Sequence, residues 1–163
     1  MGEVRHALRA YAVEGHPLDV ILSLLDTLVT KLRPDELVTV TLCLLLVEPG
    51  GRRIHVSNAG HIPPLLLAPG RGDRFLPERS ALLGLGSQHP PSTVHDLDTP
   101  SRIVLITDGL VEVRNTVLTD SLAEFRAAVR SGPENLEALC DLLLSTFGQN
   151  KDDDIALVVL DLS

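Results

Sequence analysis

Aromatic residues are nearly absent, with no Trp, one Tyr and three Phe among 163 residues. Stacked-ring platforms for nucleic-acid bases are therefore excluded, and aliphatic side chains must fill the core. Basic residues are scarce as well. Fourteen Lys and Arg stand against twenty-two Asp and Glu, giving a formal net charge of −8. That balance argues against binding nucleic acid or an anionic membrane, since both need positive surface potential. Long apolar runs are missing: the longest, Val38 to Val47, is too short to span a bilayer and is interrupted by threonines. No basic stretch leads into an apolar one near Met1, so the sequence reads without a secretory signal. The two cysteines, Cys43 and Cys140, lie far apart, form no CxxC and sit among leucines. They read as buried, reduced thiols of a cytoplasmic protein.

What is present is enough apolar material for a core: 44% of residues are hydrophobic, the composition of one folded domain covering residues 1–163. Val4, Ala7, Leu8, Tyr11 and Ala12 share one helical face, and Gly15 ends that helix. Pro17 suits the first turn of the next. There Leu18, Ile21, Leu22, Leu25, Leu28, Val29 and Leu32 keep a helical period up to Pro34. The pattern then turns to strand. Leu37–Val47 is rich in Val, Thr and Leu, Glu48-Pro49-Gly50-Gly51 is a turn, and Arg52–Ala59 returns as the second arm of an antiparallel hairpin. Leu65–Ala68 resumes after Gly60-His61-Ile62-Pro63-Pro64. Residues 74–97 give only weak signals of short strands and loops. Arg102–Thr107 is an apolar strand. Asp120 is placed to cap a helix carrying Leu122, Phe125 and Val129. Pro133 opens another with Leu136, Leu139, Cys140, Leu143 and Phe147, ending at Gly148. Asp154–Leu162 is a last strand.

Leu42–Val47 and Ile155–Leu160 are apolar at every position or nearly so. An antiparallel strand with one wet face alternates, so both strands are expected to be covered on both faces. With amphipathic helices at both ends of the chain, the expected fold is α+β: a layered αββα sandwich of two antiparallel sheets with flanking helices.

Three places could carry chemistry. Asp108-Gly109 follows the strand 102–107, and Lys151-Asp152-Asp153-Asp154 leads into the last strand. If those strands are antiparallel neighbours, Asp108 converges with Asp153 or Asp154. Carboxylates gathered at a strand edge are hard oxygen ligands suited to Mg²⁺ or Mn²⁺; the plainer account is an Asp-Gly turn and a solvated acidic cap. The third place is Asn58-Ala59-Gly60-His61-Ile62-Pro63-Pro64, a rigid bend able to aim Asn58 and His61, or simply a corner whose Asn caps its own turn. Gly84-Leu85-Gly86 is too short for a phosphate loop. Ser57 and Ser101 have no nucleophile motif around them. His6, His16, His89 and His95 show no ligand spacing and read as surface residues.

Four segments, in this order, resemble the metal-dependent serine/threonine protein phosphatases of the type 2C superfamily: Asn58–Pro64, Leu83-Gly84-Leu85, Leu105-Ile106-Thr107-Asp108-Gly109-Leu110-Val111-Glu112, and Asp153-Asp154-Ile155-Ala156-Leu157. The branch resembled is that of the bacterial sporulation stage II E and sigma-factor-regulating phosphatases, over nearly the whole chain. The resemblance implies two antiparallel sheets with helices outside, and hydrolysis of phosphoserine or phosphothreonine by a water held between two Mg²⁺ or Mn²⁺ ions. It implies Asp108 and Asp153 as metal ligands, with Gly109, Asp154, Asn58 and His61 near the site. It implies no catalytic side chain beyond the metal ligands, and a phosphorylated anti-anti-sigma-type protein as substrate. The family also has N-terminal strands and a Gly-Asp loop before the first helix, whose Asp bridges both metals. Here Met1–Ala10 is similar to the middle of that helix, so the expectation is a domain lacking those strands and the bridging ligand. Two functions follow: a phosphatase domain, or a catalytically incomplete module that binds a regulatory partner. Sheet edges left open by missing strands would favour self-association into a homo-oligomer.

Overall fold

The computed structural model describes residues 2–32, 36–68, 72–97, 100–112, 116–149 and 154–162. The chain divides into two compact units: Met1–Pro63 with Pro77–Leu97, and Pro64–Leu76 with Asp98–Ser163.

In the first unit, helix α1 spans Gly2–Val13 and helix α2 spans Leu18–Leu32. The apolar period of α2 is its packing face: Leu18, Ile21, Leu22, Leu25 and Val29 are buried together with Ala59 and Leu83. Of the predicted stripe of α1, Val4, Ala7, Leu8 and Tyr11 pack on the same cluster, while Ala12 is exposed. Strand β1 is Leu42–Val47 and β2 is Arg53–Ala59. They form the expected hairpin, in register from Leu42 opposite Ala59 to Val47 opposite Ile54. Strand β1 is shorter than the apolar run suggests. Residues 37–41 lie outside it, and Val40 instead makes an isolated antiparallel bridge to Leu83.

In the second unit, β3 (Leu65–Leu67) and β4 (Arg74–Phe75) are joined by residues 68–73. The weak stretch that follows contains β5 (Thr93–Asp96), which returns to the first unit and pairs antiparallel with β2. Strand β6 is Ser101–Ile106, followed by the short helix α3 (Asp108–Val111), then α4 (Leu118–Ser131), α5 (Leu136–Phe147) and β7 (Leu157–Leu162). The sheet orders are β1-β2-β5 and β4-β3-β6-β7, and every pairing is antiparallel. The fold is therefore α+β with two antiparallel sheets and flanking helices. Among the described residues no helix is long and apolar enough to cross a membrane.

Several local expectations are corrected. Asp120 does not cap α4. Val117 holds the N-cap position without a side-chain bond, and Asp120 sits in the first turn, where its charge complements the helix dipole. Helix α5 begins later than Pro133, at Leu136, because Asn135 is the cap and its Oδ1 takes the Ala138 N–H at 3.0 Å. Strand β7 begins at Leu157, and residues 154–156 are irregular. Neither apolar strand is covered on both faces: Leu46 of β1 is 53% exposed, and Val158 and Leu160 of β7 are 48% and 41% exposed. Both strands are the last in their sheets, with a neighbouring strand on one side alone. The cysteines are free and half-buried rather than buried.

Candidate functional site

Strands β6 and β7 are antiparallel neighbours, paired from Ser101 opposite Leu162 to Ile106 opposite Leu157. Their register brings the end of one beside the start of the other, as the convergence argument requires. One residue further, the ladder changes character. Thr107 N–H donates to the Ala156 carbonyl at 3.0 Å. The Ala156 N–H answers to the Thr107 hydroxyl at 2.9 Å, and that hydroxyl donates to the Asp154 carbonyl at 3.2 Å. Thr107 occupies the N-cap position of α3 yet makes no side-chain cap bond, because its oxygen is engaged across the strands.

Asp108 follows directly. Its side chain is on the exposed surface at the first position of α3, and Oδ1 takes the Gly109 N–H at 3.0 Å. Gly109 is buried with Leu110 and Val111, so the turn is anchored from below while the carboxylate stays open. Asp153, the second expected ligand, lies outside the described residues. Asp154 is exposed, and its backbone is held by Thr107. A carboxylate with an oxygen left for a ligand is the donor type that Mg²⁺ and Mn²⁺ take, so the chemistry of Asp108 fits a hard divalent ion. Among the described residues no group of three or more His, Cys, Asp or Glu could hold a metal.

Asn58 and His61 belong to the other unit. Asn58 is 3% exposed and closes the bend on itself. Its Oδ1 takes the His61 N–H at 2.9 Å, and its Nδ2 donates to the His61 carbonyl at 3.0 Å. Gly60 sits between them at φ +65°, and a side chain there would strike Leu82. The corner account of this motif thus describes what Asn58 does. The His61 ring is fixed too: Nδ1–H donates to the Ile62 carbonyl at 3.0 Å, since a carbonyl can only accept, and Nε2 of the neutral ring carries the lone pair.

Residues that the sequence did not single out organise the same unit. Asp26 of α2 is 3% exposed, and its Oδ1 accepts from the N–H groups of Gly84 and Leu85 at 2.6 and 3.2 Å. That contact ties the Leu83-Gly84-Leu85 segment to the helix. Two histidines read as surface residues are not: His89 is 8% exposed, and His95, 15% exposed at its side chain, donates from Nε2 to Glu78 Oε1 at 2.7 Å. The only advance sign of the Asp26 contact is a lone carboxylate on an otherwise apolar helix face.

The family model for stage II sporulation protein E (SpoIIE) matches residues 1–163. The structure of the RsbU and RsbW domains of a Mycobacterium tuberculosis protein superposes with a TM-score of 0.83 at 26% identity, covering 99% of this chain and 47% of that one. RsbX in complex with magnesium gives 0.76 at 16% identity, covering 99% of this chain and 72% of that one. The PP2C phosphatase domain of SpoIIE from Bacillus subtilis, solved with a fragment of its regulatory domain, gives 0.79 at 14% identity, over 99% of this chain and 50% of that one. The chain thus spans about half the length of the first and third of these structures, and the likeness to the second and third speaks for the fold alone. With a family match from end to end, the chain belongs to the stage II sporulation protein E (SpoIIE) family.

Proposed function

We propose that this chain acts as a metal-dependent protein serine/threonine phosphatase domain, in a cytoplasmic setting, on a phosphorylated regulatory protein of the anti-anti-sigma type. The observation that carries the reading is the junction of β6 and β7, where Asp108 stands beside the chain that leaves the acidic run 152–154. Asp108 and Asp153 are the proposed ligands for Mg²⁺ or Mn²⁺, with Gly109 and Asp154 as supporting residues. Magnesium is bound in the RsbX structure, which supports a hard divalent ion here.

The chain's own residues do the positioning. Gly109 N–H orients the Asp108 carboxylate through Oδ1. Thr107 holds the backbone at Asp154 and Ala156 beside the turn that carries Asp108. When bound, the metal supplies Lewis acidity toward phosphoryl oxygens and a water acidic enough to give hydroxide at neutral pH.

The test is phosphate release from a phosphoserine-bearing anti-anti-sigma-type protein with and without Mn²⁺. Asp108→Asn and Asp153→Asn are each expected to lower the rate by about 10²-fold or more, about 2.7 kcal/mol of transition-state stabilisation. The alternative reading is a catalytically incomplete module that binds the partner without hydrolysis. Tight binding of the phosphorylated protein with no Mn²⁺-dependent release would select it. Turnover unaffected by both substitutions would overturn the assignment of these ligands.

A further inference from the structure

Three buried side-chain polar atoms among the described residues have no hydrogen-bond partner: Ser57 Oγ, Glu78 Oε2 and His89 Nε2. All belong to the first unit. A buried polar group left bare costs about 1–3 kcal/mol, so three in one neighbourhood call for an occupant. Two of the three, Ser57 and Glu78, line a cavity of about 170 Å³, several times what one water needs. Its polar wall includes Ser57, Glu78 and Ser80, its apolar wall includes Leu22 and Pro90, and Arg79 also borders it.

The chemistry of the polar wall is one-sided. The Glu78 side chain is 9% exposed. Its Oε1 is taken by His95 at 2.7 Å, while Oε2 is bare. Ser57, 4% exposed, offers a second unpaired oxygen. Ser80 gives its hydroxyl proton to the Asn58 carbonyl at 3.0 Å, so toward His89 Nδ1, 2.8 Å away, it can only accept. His89 therefore carries a proton on Nδ1. The bare oxygens of Glu78 and Ser57 can each accept from a donor in the cavity, and Glu78 is a carboxylate, which pairs best with a positively charged donor. Arg79 is exposed, where solvent screens its charge.

We propose that this cavity binds a small cationic hydrogen-bond donor, a primary ammonium or guanidinium group on a short aliphatic stem. The head pairs with Glu78 Oε2 and Ser57 Oγ, and the stem lies against Leu22 and Pro90. Such a group is carried by a free alkylamine or by the lysine or arginine side chain of a protein. The proposal does not rest on the phosphatase reading, since none of Asp108, Asp153 and Asp154 enters it.

The experiment is a titration of the full chain with n-butylammonium, methylguanidinium and N-acetylarginine amide, followed by amide chemical shifts. Saturable shifts confined to residues 57 and 78–80 and their neighbours are expected. Tetramethylammonium, which has the charge but no N–H donor, is expected to produce none. Glu78→Gln keeps an acceptor for His95 and is expected to weaken binding at least about tenfold, the effect of losing roughly 1.4 kcal/mol; Ser57→Ala is expected to weaken it less. N-acetylarginine amide binding more tightly than the free amines identifies a protein side chain as the source, and the reverse order a small molecule. The proposal is overturned by no saturable shift at tens of millimolar, by equal response to tetramethylammonium, or by equal affinity in Glu78→Gln. The tetramethylammonium comparison uses the unaltered chain and decides even where a variant fails to fold.

Discussion

The hydroxyl of Thr107 takes the place of a backbone carbonyl in the last rung between β6 and β7, accepting the Ala156 N–H at 2.9 Å while donating to the Asp154 carbonyl at 3.2 Å. A side chain thus ties the residue before Asp108 to the residue after Asp153. Both contacts are lost in Thr107→Val, which keeps the shape, and both are kept in Thr107→Ser. A net hydrogen bond is worth about 1 kcal/mol, and the surroundings here are partly solvated. Thr107→Val is expected to lower stability in urea by about 1 kcal/mol and to weaken Mn²⁺ binding by calorimetry, with Thr107→Ser close to the unaltered chain in both. If Val and Ser variants bind Mn²⁺ alike, Thr107 has no part in positioning the ligands.

How far the sequence could be read follows from the range of each signal. The packing face of α2 was legible because Leu18, Ile21, Leu22, Leu25 and Val29 repeat locally and are all buried. The β6–β7 pairing was legible because an apolar strand ending in Asp-Gly and another preceded by three aspartates suggest one site. The Asp26 contact was not, because its partners lie 58 and 59 residues away and a backbone N–H leaves no trace in composition. Nor was the His95–Glu78 pair, which falls in a stretch with almost no periodicity. The apolar run of β7 misled for a different reason. Its composition resembles that of a strand buried on both faces, yet the face that carries Val158 and Leu160 is exposed.

The contact of Asp26 with Gly84 and Leu85 predicts a large stability effect from one atom group. Asp26→Ala leaves two N–H groups without their acceptor in a part-buried place and is expected to cost about 1–3 kcal/mol. Asp26→Asn keeps an acceptor oxygen but loses the charge-assisted part of both bonds, and is expected to cost less. Gly84 adds an independent check. It sits at φ +93°, and a Cβ there would run into the Val38 carbonyl and the Val29 side chain, so Gly84→Ala is expected to destabilise by more than about 1 kcal/mol. Urea midpoints together with hydrogen exchange at the Gly84 and Leu85 amides measure all three.

Burial pushes the Cys43 thiol up to about 12, with the negative charge of Glu78 adding to the effect. Only the thiolate reacts quickly, and at pH 8 a thiol of that acidity is ionised to about one part in ten thousand. Iodoacetamide at pH 8 is therefore expected to modify Cys43 only as fast as the chain opens, and mass spectrometry of timed samples would follow it. Glu78→Gln removes the secondary cause and leaves burial, so a modest gain in labelling rate is expected. Rapid labelling of the folded chain would show that Cys43 is more open than its position opposite Asn58 in the hairpin implies.

Arg102 and Asp161 face each other across β6 and β7, joined by Nε to Oδ1 at 2.6 Å and Nη2 to Oδ2 at 2.9 Å. Nη2 also donates to the Glu134 carbonyl ahead of α5 at 2.7 Å, so one guanidinium links two strands to the approach of a helix. The hydrogen bonds from Arg102 hold the Asp161 carboxyl below its ordinary value, with its charge adding to them. A depressed carboxyl stabilises the fold above its unfolded value, and that contribution fades as pH falls through the folded value. The Asp161 side chain is 48% exposed, so solvent screening reduces the pair to about 0.5–1 kcal/mol. Asp161→Asn is expected to be less stable than the unaltered chain by that amount at pH 7. The gap should close below about pH 4, where unfolded carboxylates protonate, and shrink in concentrated salt. Thermal unfolding of both chains across pH 3 to 7 tests the sign directly, since a gap that widened toward low pH would mean that Asp161 is held by something other than the charge of Arg102.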